Sequence, residues 1–252
     1  MENHSTIVKA IQHWLARVSP IEPIVLIVLA VGISCTWGFI KIADEVFEGE
    51  TQAFDRWALQ VMRDSDDPTD LWGPLWFEEI GRDATALGGV AWLTFTTLVI
   101  AIYLWLDDKI HMMVFTVGAA ISGALISIGL KSFFDRPRPD LVTHLSHVYS
   151  SSFPSGHSML SAIVYLTVGS LLAAVMPTRP LKIYVLFVAI ILTVSVGLSR
   201  VYLGVHYPTD VLAGWLAGLV WSLLCWLVAR WLQRRDAVER QSTTVPSQQT
   251  TV

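Results

Sequence analysis

Charge is scarce in this chain. Only 15% of its 252 residues are Asp, Glu, Lys or Arg, against 53% hydrophobic, where a soluble domain carries about 25% charged residues. So few charges cannot cover the surface of a soluble fold. The net charge is −4 and the basic residues form no stripe, which argues against a nucleic-acid partner. Cysteine is scarcer still. Cys35 and Cys225 both lie inside apolar runs, so no disulfide framework is expected and the compartment is not reported by them. No stretch repeats another.

Asp, Glu and Lys are absent altogether from six long apolar segments, residues 24–40, 86–106, 112–130, 159–176, 183–198 and 211–232. A helix crossing a bilayer needs roughly 17–25 mostly apolar residues, and the segments meet or approach that length. One such run is compatible with a buried helix of a soluble protein; six are not. The chain is therefore predicted to be all-α, a polytopic membrane protein with six transmembrane helices in one bundle spanning residues 23–232. No small-x-small cleavage pattern follows the first run, so it reads as a span and not a signal peptide.

The acids that exist are concentrated. Twelve of the 21 lie between Asp44 and Asp83, in a loop at 41–85 that holds the one sizeable extramembrane piece. Within it Phe54, Trp57, Ala58, Val61 and Met62 recur at helical spacing, predicting an amphipathic helix that caps the bundle or forms a rim for lipid. Residues 1–22 read as a cytoplasmic segment, either an interfacial helix carrying Ile7, Ile11, Trp14 and Val18 or a frayed terminus. The polar residues 233–252 read as a disordered cytoplasmic tail.

Six spans place nine Lys and Arg residues on the side of the termini and eight on the other. Three of the eight, Lys131, Arg138 and Arg200, belong to the chemical stretches below, and two lie deep in the acidic loop. With these discounted, the positive-inside rule puts both termini in the cytoplasm and the acidic loop outside a plasma (inner) membrane.

Three short stretches carry chemistry. Lys131-Ser-Phe-Phe-Asp-Arg-Pro-Arg138-Pro139 follows the third span, Pro154-Ser155-Gly156-His157 precedes the fourth, and Ser199-Arg200 through His206 to Asp210 joins the fifth to the sixth. Alternating spans bring all three to one membrane face. Lys131, Arg138 and Arg200 supply donors and positive charge with no acceptor, a cluster that calls for an anion such as phosphate. Ser155 and Gly156 at a helix start offer backbone N–H groups and the positive end of the helix dipole. His206 and Asp210 are one helical turn apart, and Pro208 suits the first position of the sixth helix. A carboxylate there can hold one ring nitrogen of His206 and leave the other to attack, with His157 available as a proton donor. Arg82-Asp83 offers a headgroup contact or a plain surface ion pair.

These stretches resemble the signature of the type 2 phosphatidic acid phosphatase superfamily, Lys-x6-Arg-Pro, Pro-Ser-Gly-His and Ser-Arg-x5-His-x3-Asp, with every signature position present. The resemblance implies a membrane lipid phosphatase in which His206 is the phosphorylated nucleophile, Asp210 its orienting partner and His157 the general acid. It implies that Lys131, Arg138, Ser155, Gly156 and Arg200 hold the phosphoryl oxygens, with no metal and no other cofactor. The partners expected are a lipid phosphate and the membrane, with no nucleic acid and no obligate protein partner. Vanadium haloperoxidases share the motifs, but six spans argue against that reading. A transporter is disfavoured because no charge sits in mid-span. Among polyprenyl diphosphate, phosphatidylglycerol phosphate, phosphatidic acid and lipid A, the diphosphate is preferred for its greater charge and better leaving group.

Overall fold

The computed structural model describes residues 22–67, 70–139 and 151–243, with side chains through residue 232. Among the described residues there are eight helices: α1 (Pro23–Glu48), α2 (Gln52–Val61), α3 (Leu75–Ala86), α4 (Val90–Leu106), α5 (Ile110–Phe133), α6 (Gly156–Val175), α7 (Arg179–Tyr202) and α8 (Pro208–Thr243). Among the described residues there is no strand, only an isolated bridge between Arg63 and Leu71. Five helices are individually long and apolar enough to cross a membrane. The sixth candidate is a pair, α3 and α4, bent by 51° and long and apolar enough only when taken together.

The span expected at 86–106 holds α4, and the bend lies at its start. Leu87-Gly88-Gly89 interrupts the helix, and Gly88 lies where a Cβ would come within 2.3 Å of Val196 Cγ1. The break lets α3 lean onto α7, where the Phe77 and Tyr202 rings meet edge-on at 5.2 Å.

α6 is the centre of the bundle. Its most apolar stretch is 56% buried against 6% for α1, and α7 and α8 are its main neighbours. Close approach of α8 comes from Gly214 and Gly218, a small-xxx-small pair of the kind that lets helices touch in lipid. A Cβ on Gly218 would stand 2.6 Å from the Met159 carbonyl oxygen. Polar groups inside the spans turn back onto their own helices, as Thr97 does to the Leu93 carbonyl at 2.7 Å and Thr193 to Ala189 at 2.9 Å. Lipid offers no alternative partner, which favours such bonds, though the buried Thr167 hydroxyl makes none among the described residues.

The 41–85 segment is more helical than a loop. α1 continues beyond the apolar run to Glu48 and ends at Gly49, which takes the left-handed conformation with φ 80°, the usual helix stop. The predicted amphipathic helix is α2, but its apolar stripe points outward. Phe54, Trp57 and Val61 are exposed, while Asp55 and Leu59 are fully buried. Trp72 and Trp76 are exposed nearby.

Residues 233–243, expected as part of a disordered tail, continue α8 as helix. They contain no Gly or Pro, and Gln, Arg, Ala and Glu are good helix formers. The expected interfacial segment at 1–21 and the end of the tail at 244–252 lie outside the described residues.

Candidate active site

The ends of α5 and α7 and the starts of α6 and α8 meet on one face. Pro208 begins α8, and Ser155 is the N-cap of α6, its side chain accepting from the Ser158 N–H. The two starts are stitched together by the Ser155 N–H, which donates to the Asp210 carbonyl at 2.9 Å. Ser155 is fully buried and its hydroxyl also accepts from Ser158 Oγ at 3.0 Å. Both its backbone donor and its oxygen are thus engaged in holding the helix start, and its hydroxyl proton is left for the expected phosphate contact. Gly156 has Lys131 lying over it, with Cε 3.1 Å from where a Cβ would be.

The other expected residues come together. His157 lies close enough to interact electrostatically with Arg200, His206, Lys131 and Arg138. Lys131 Nζ donates to the Ser151 carbonyl at 3.3 Å, and Arg138 Nη1 to the Val205 carbonyl at 3.1 Å. Arg200 Nη1 donates to Thr85 Oγ1 at 2.9 Å, while its buried Nε has no hydrogen-bond partner. Three cations drawn together in a half-buried pocket repel one another, and an anion relieves both the repulsion and the unmet donor. Burial holds the Arg138 pKa below its ordinary value, with Asp210 opposing.

His206 is 1% exposed, and its Nδ1 sits 3.5 Å from Asp210 Oδ2 and 3.3 Å from Ser152 Oγ. Its Nε2 is therefore the ring nitrogen left for chemistry. Burial brings the imidazole down to about 4, with Asp210 opposing and Arg200 and Arg138 reinforcing. At neutral pH the ring is uncharged and holds a free lone pair.

Asp210 is fully buried and has every oxygen occupied. Oδ2 accepts from the Ser152 hydroxyl and, at 2.9 Å, from the Tyr207 N–H. Oδ1 accepts from Arg136 Nη1 at 2.5 Å. Arg136 then reaches across to α2, where Nη2 meets Asp55 Oδ2 at 2.7 Å. Thr209 closes the ring, its hydroxyl 2.7 Å and its N–H 3.2 Å from Asp55. Burial works against the charge of Arg136, but Asp210 and Asp55 outweigh it and raise its pKa. The guanidinium also stacks 4.3 Å above the Tyr207 ring.

Sequence reasoning missed Arg136, Asp55, Ser152 and Thr209. Arg136 stands between the two motif cations, and Thr51, Asp55 and Leu59 share one face of α2 at a spacing of four; that spacing was the available signal. Arg82, by contrast, pairs with Glu78 one turn away at the exposed surface, which favours the plain ion pair for Arg82-Asp83.

Buried histidine, cation cluster and membrane bundle together define a class, the membrane phosphatases. The model of the PAP2 superfamily matches residues 111–234. Phosphatidylglycerophosphatase B of Bacillus subtilis (strain 168) is 36% identical over 151 residues, 58% of this chain and 71% of that protein. An undecaprenyl-diphosphatase of Sulfolobus acidocaldarius is 42% identical over 67 residues, 27% of this chain and 28% of that protein. Among solved structures, the transmembrane PAP2-type phosphatidylglycerolphosphate phosphatase of Bacillus subtilis aligns with a TM-score of 0.71 at 30% identity, covering 79% of this chain and 96% of that one. The chain belongs to the PAP2 superfamily and is a multi-pass membrane lipid phosphatase.

Proposed function

We propose that this enzyme removes the terminal phosphomonoester of a membrane glycerophospholipid of the phosphatidylglycerol phosphate type, through a phosphohistidine on His206. The observation that carries the chemistry is His206 Nδ1 facing Asp210 Oδ2 at 3.5 Å beside Lys131, Arg138 and Arg200. Nε2 attacks phosphorus in line, the bond to the lipid oxygen breaks, and its electron pair stays on that oxygen. His157, which holds a proton once the anionic phosphoryl group offsets the cations beside it, protonates the leaving oxygen. Water then attacks the phosphohistidine, giving its proton to His157 as the P–N bond breaks, and inorganic phosphate departs with His206 neutral again. Lys131, Arg138, Arg200 and the N–H groups opening α6 at Gly156 stabilise the equatorial oxygens, where charge is greatest in the transition state. Ser155 serves this by fixing the helix start.

The preference for a diphosphate rested on its greater charge and its better leaving group. Phosphatidylglycerophosphatase B and the Bacillus subtilis structure, matched over 71% and 96% of their own length, are named for phosphatidylglycerol phosphate; two lipid A 1-phosphatases match over 67% and 72% of theirs at the lower identities of 31% and 30%, and the diphosphatase named above over 28%. This supports the glycerophospholipid. The test is kcat/KM of purified enzyme in mixed micelles on phosphatidylglycerol phosphate, phosphatidic acid, lipid A, long-chain polyprenyl diphosphate and a short soluble ester. A winning diphosphate restores the first preference, and a winning soluble ester defeats lipid selectivity.

The active face is proposed to be extracytoplasmic, on the discounted count of basic residues. A cysteine replacing the exposed Asp66, with Cys35 and Cys225 removed, should react with an impermeant thiol reagent in intact cells. Labelling at Gln249 instead would reverse the topology.

A further inference from the structure

A cavity of about 420 Å³ opens beside the catalytic cluster, between the ends of α1 and α5 and the start of α2. Arg138 belongs to both, so a ligand phosphate held by the cluster continues directly into this space. On one side stand Phe47 and Phe133, both about three-quarters exposed. They mark an apolar rim facing the surroundings of the bundle. On the other side α2 presents Gln52 and Arg56, one helical turn apart on one face. Asp135 completes the polar wall.

These three groups are uncommitted. Gln52, Arg56 and Asp135 have no side-chain hydrogen bond or ion pair among the described residues. Arg136 also lines the cavity, but Asp55 and Asp210 already balance its charge. What the cavity offers a ligand is therefore one exposed guanidinium, one amide and one carboxylate, next to an apolar rim. A guanidinium suits a second phosphate. A carboxylate is acceptor-only and would repel that phosphate, but it suits a hydroxyl.

We infer that the cavity is a headgroup subsite for a lipid whose scissile phosphate is joined through a hydroxyl-bearing linker to a phosphodiester. Arg56 pairs with the phosphodiester, and Asp135 and Gln52 take the linker hydroxyl. The acyl chains leave past Phe47 and Phe133. This assignment rests on the proposed glycerophospholipid reading and adds the residues that select it. Phosphatidic acid has no second phosphate to meet Arg56. A polyprenyl diphosphate has its second phosphate bonded directly to the first, with no hydroxyl between.

The experiment compares wild type, Arg56→Ala, Arg56→Lys and Asp135→Ala on phosphatidylglycerol phosphate, phosphatidic acid and polyprenyl diphosphate in mixed micelles. Arg56→Ala is expected to lower the preference for phosphatidylglycerol phosphate over phosphatidic acid by about five- to tenfold, the effect of one partly exposed charged hydrogen bond. The change should fall mainly on KM, and Arg56→Lys should restore part of it. Asp135→Ala should lower the same ratio less. Equal losses on all three lipids, or an unchanged ratio, would overturn the subsite while leaving the substrate reading intact. A wild type that prefers either of the other lipids would overturn both.

Discussion

Replacing Asp55 by Ala should damage this enzyme from a helix that contains no motif residue. Asp55 is fully buried and accepts from Arg136 Nη2 at 2.7 Å, Thr209 Oγ1 at 2.7 Å and the Thr209 N–H at 3.2 Å. Truncation strands all three donors in a site where Arg136 is 11% exposed. Removing one member of a buried ion pair costs about 3–5 kcal/mol, so a lower unfolding temperature in detergent is expected. The catalytic effect follows from the other end of Arg136. Without Asp55 the guanidinium is held by Asp210 and loses its second anchor, so Oδ1 and with it the carboxylate plane can turn away from His206. Misplacement of this kind costs on the order of 10–100-fold in kcat. KM should stay nearly constant on phosphatidic acid, which has no second phosphate to meet Arg56 on α2, because Lys131, Arg138 and Arg200 do not touch Asp55. Arg136→Lys should behave similarly, since an ammonium cannot bridge two carboxylates as a fork does. The stability losses of Asp55→Ala and Thr209→Val should fall short of additive by about 0.5–3 kcal/mol in the double variant. Wild-type stability and kcat in Asp55→Ala, or a loss confined to KM, would refute the coupling of α2 to Asp210.

His206→Ala is expected to abolish turnover in a folded protein, and His157→Ala to cost on the order of 10²–10⁴ for a poor leaving group; near wild-type hydrolysis by His206→Ala would remove the nucleophile assignment. The pH profile tests the burial of His206. Its neutral form is the nucleophile, so kcat/KM should fall as pH drops through about 4, and a limb near the ordinary imidazole value of about 6.5 would contradict it. Activity should persist in excess chelator and be blocked by vanadate, which mimics the five-coordinate phosphoryl group; loss on chelation with rescue by one divalent metal would sink the mechanism. Gly218→Leu should disrupt the α6–α8 contact and lower thermal stability, as there is 2.6 Å to the nearest backbone oxygen.

What could be read in the chain alone was what depends on local pattern. Uncharged runs of near-bilayer length declare spans because lipid offers nothing to solvate a charge, and alternation of spans forces Lys131, His157, Arg200 and His206 to one face whatever the packing. The Pro208 and Ser155 helix starts were legible for the same reason, since capping is a matter of adjacent residues. Three decisions needed the tertiary structure. The apolar stripe of α2 faces outward because Asp55 has partners on Arg136 and Thr209, 81 and 154 residues away, and no periodicity can announce a partner that distant. The second span bends between Ala86 and Val90, and at Gly88 inside that bend Val196 occupies the space a side chain would need. And Ser155 spends its donor and its oxygen on Asp210 and Ser158 because α6 and α8 begin against each other, a contact that exists only once the two helices are packed.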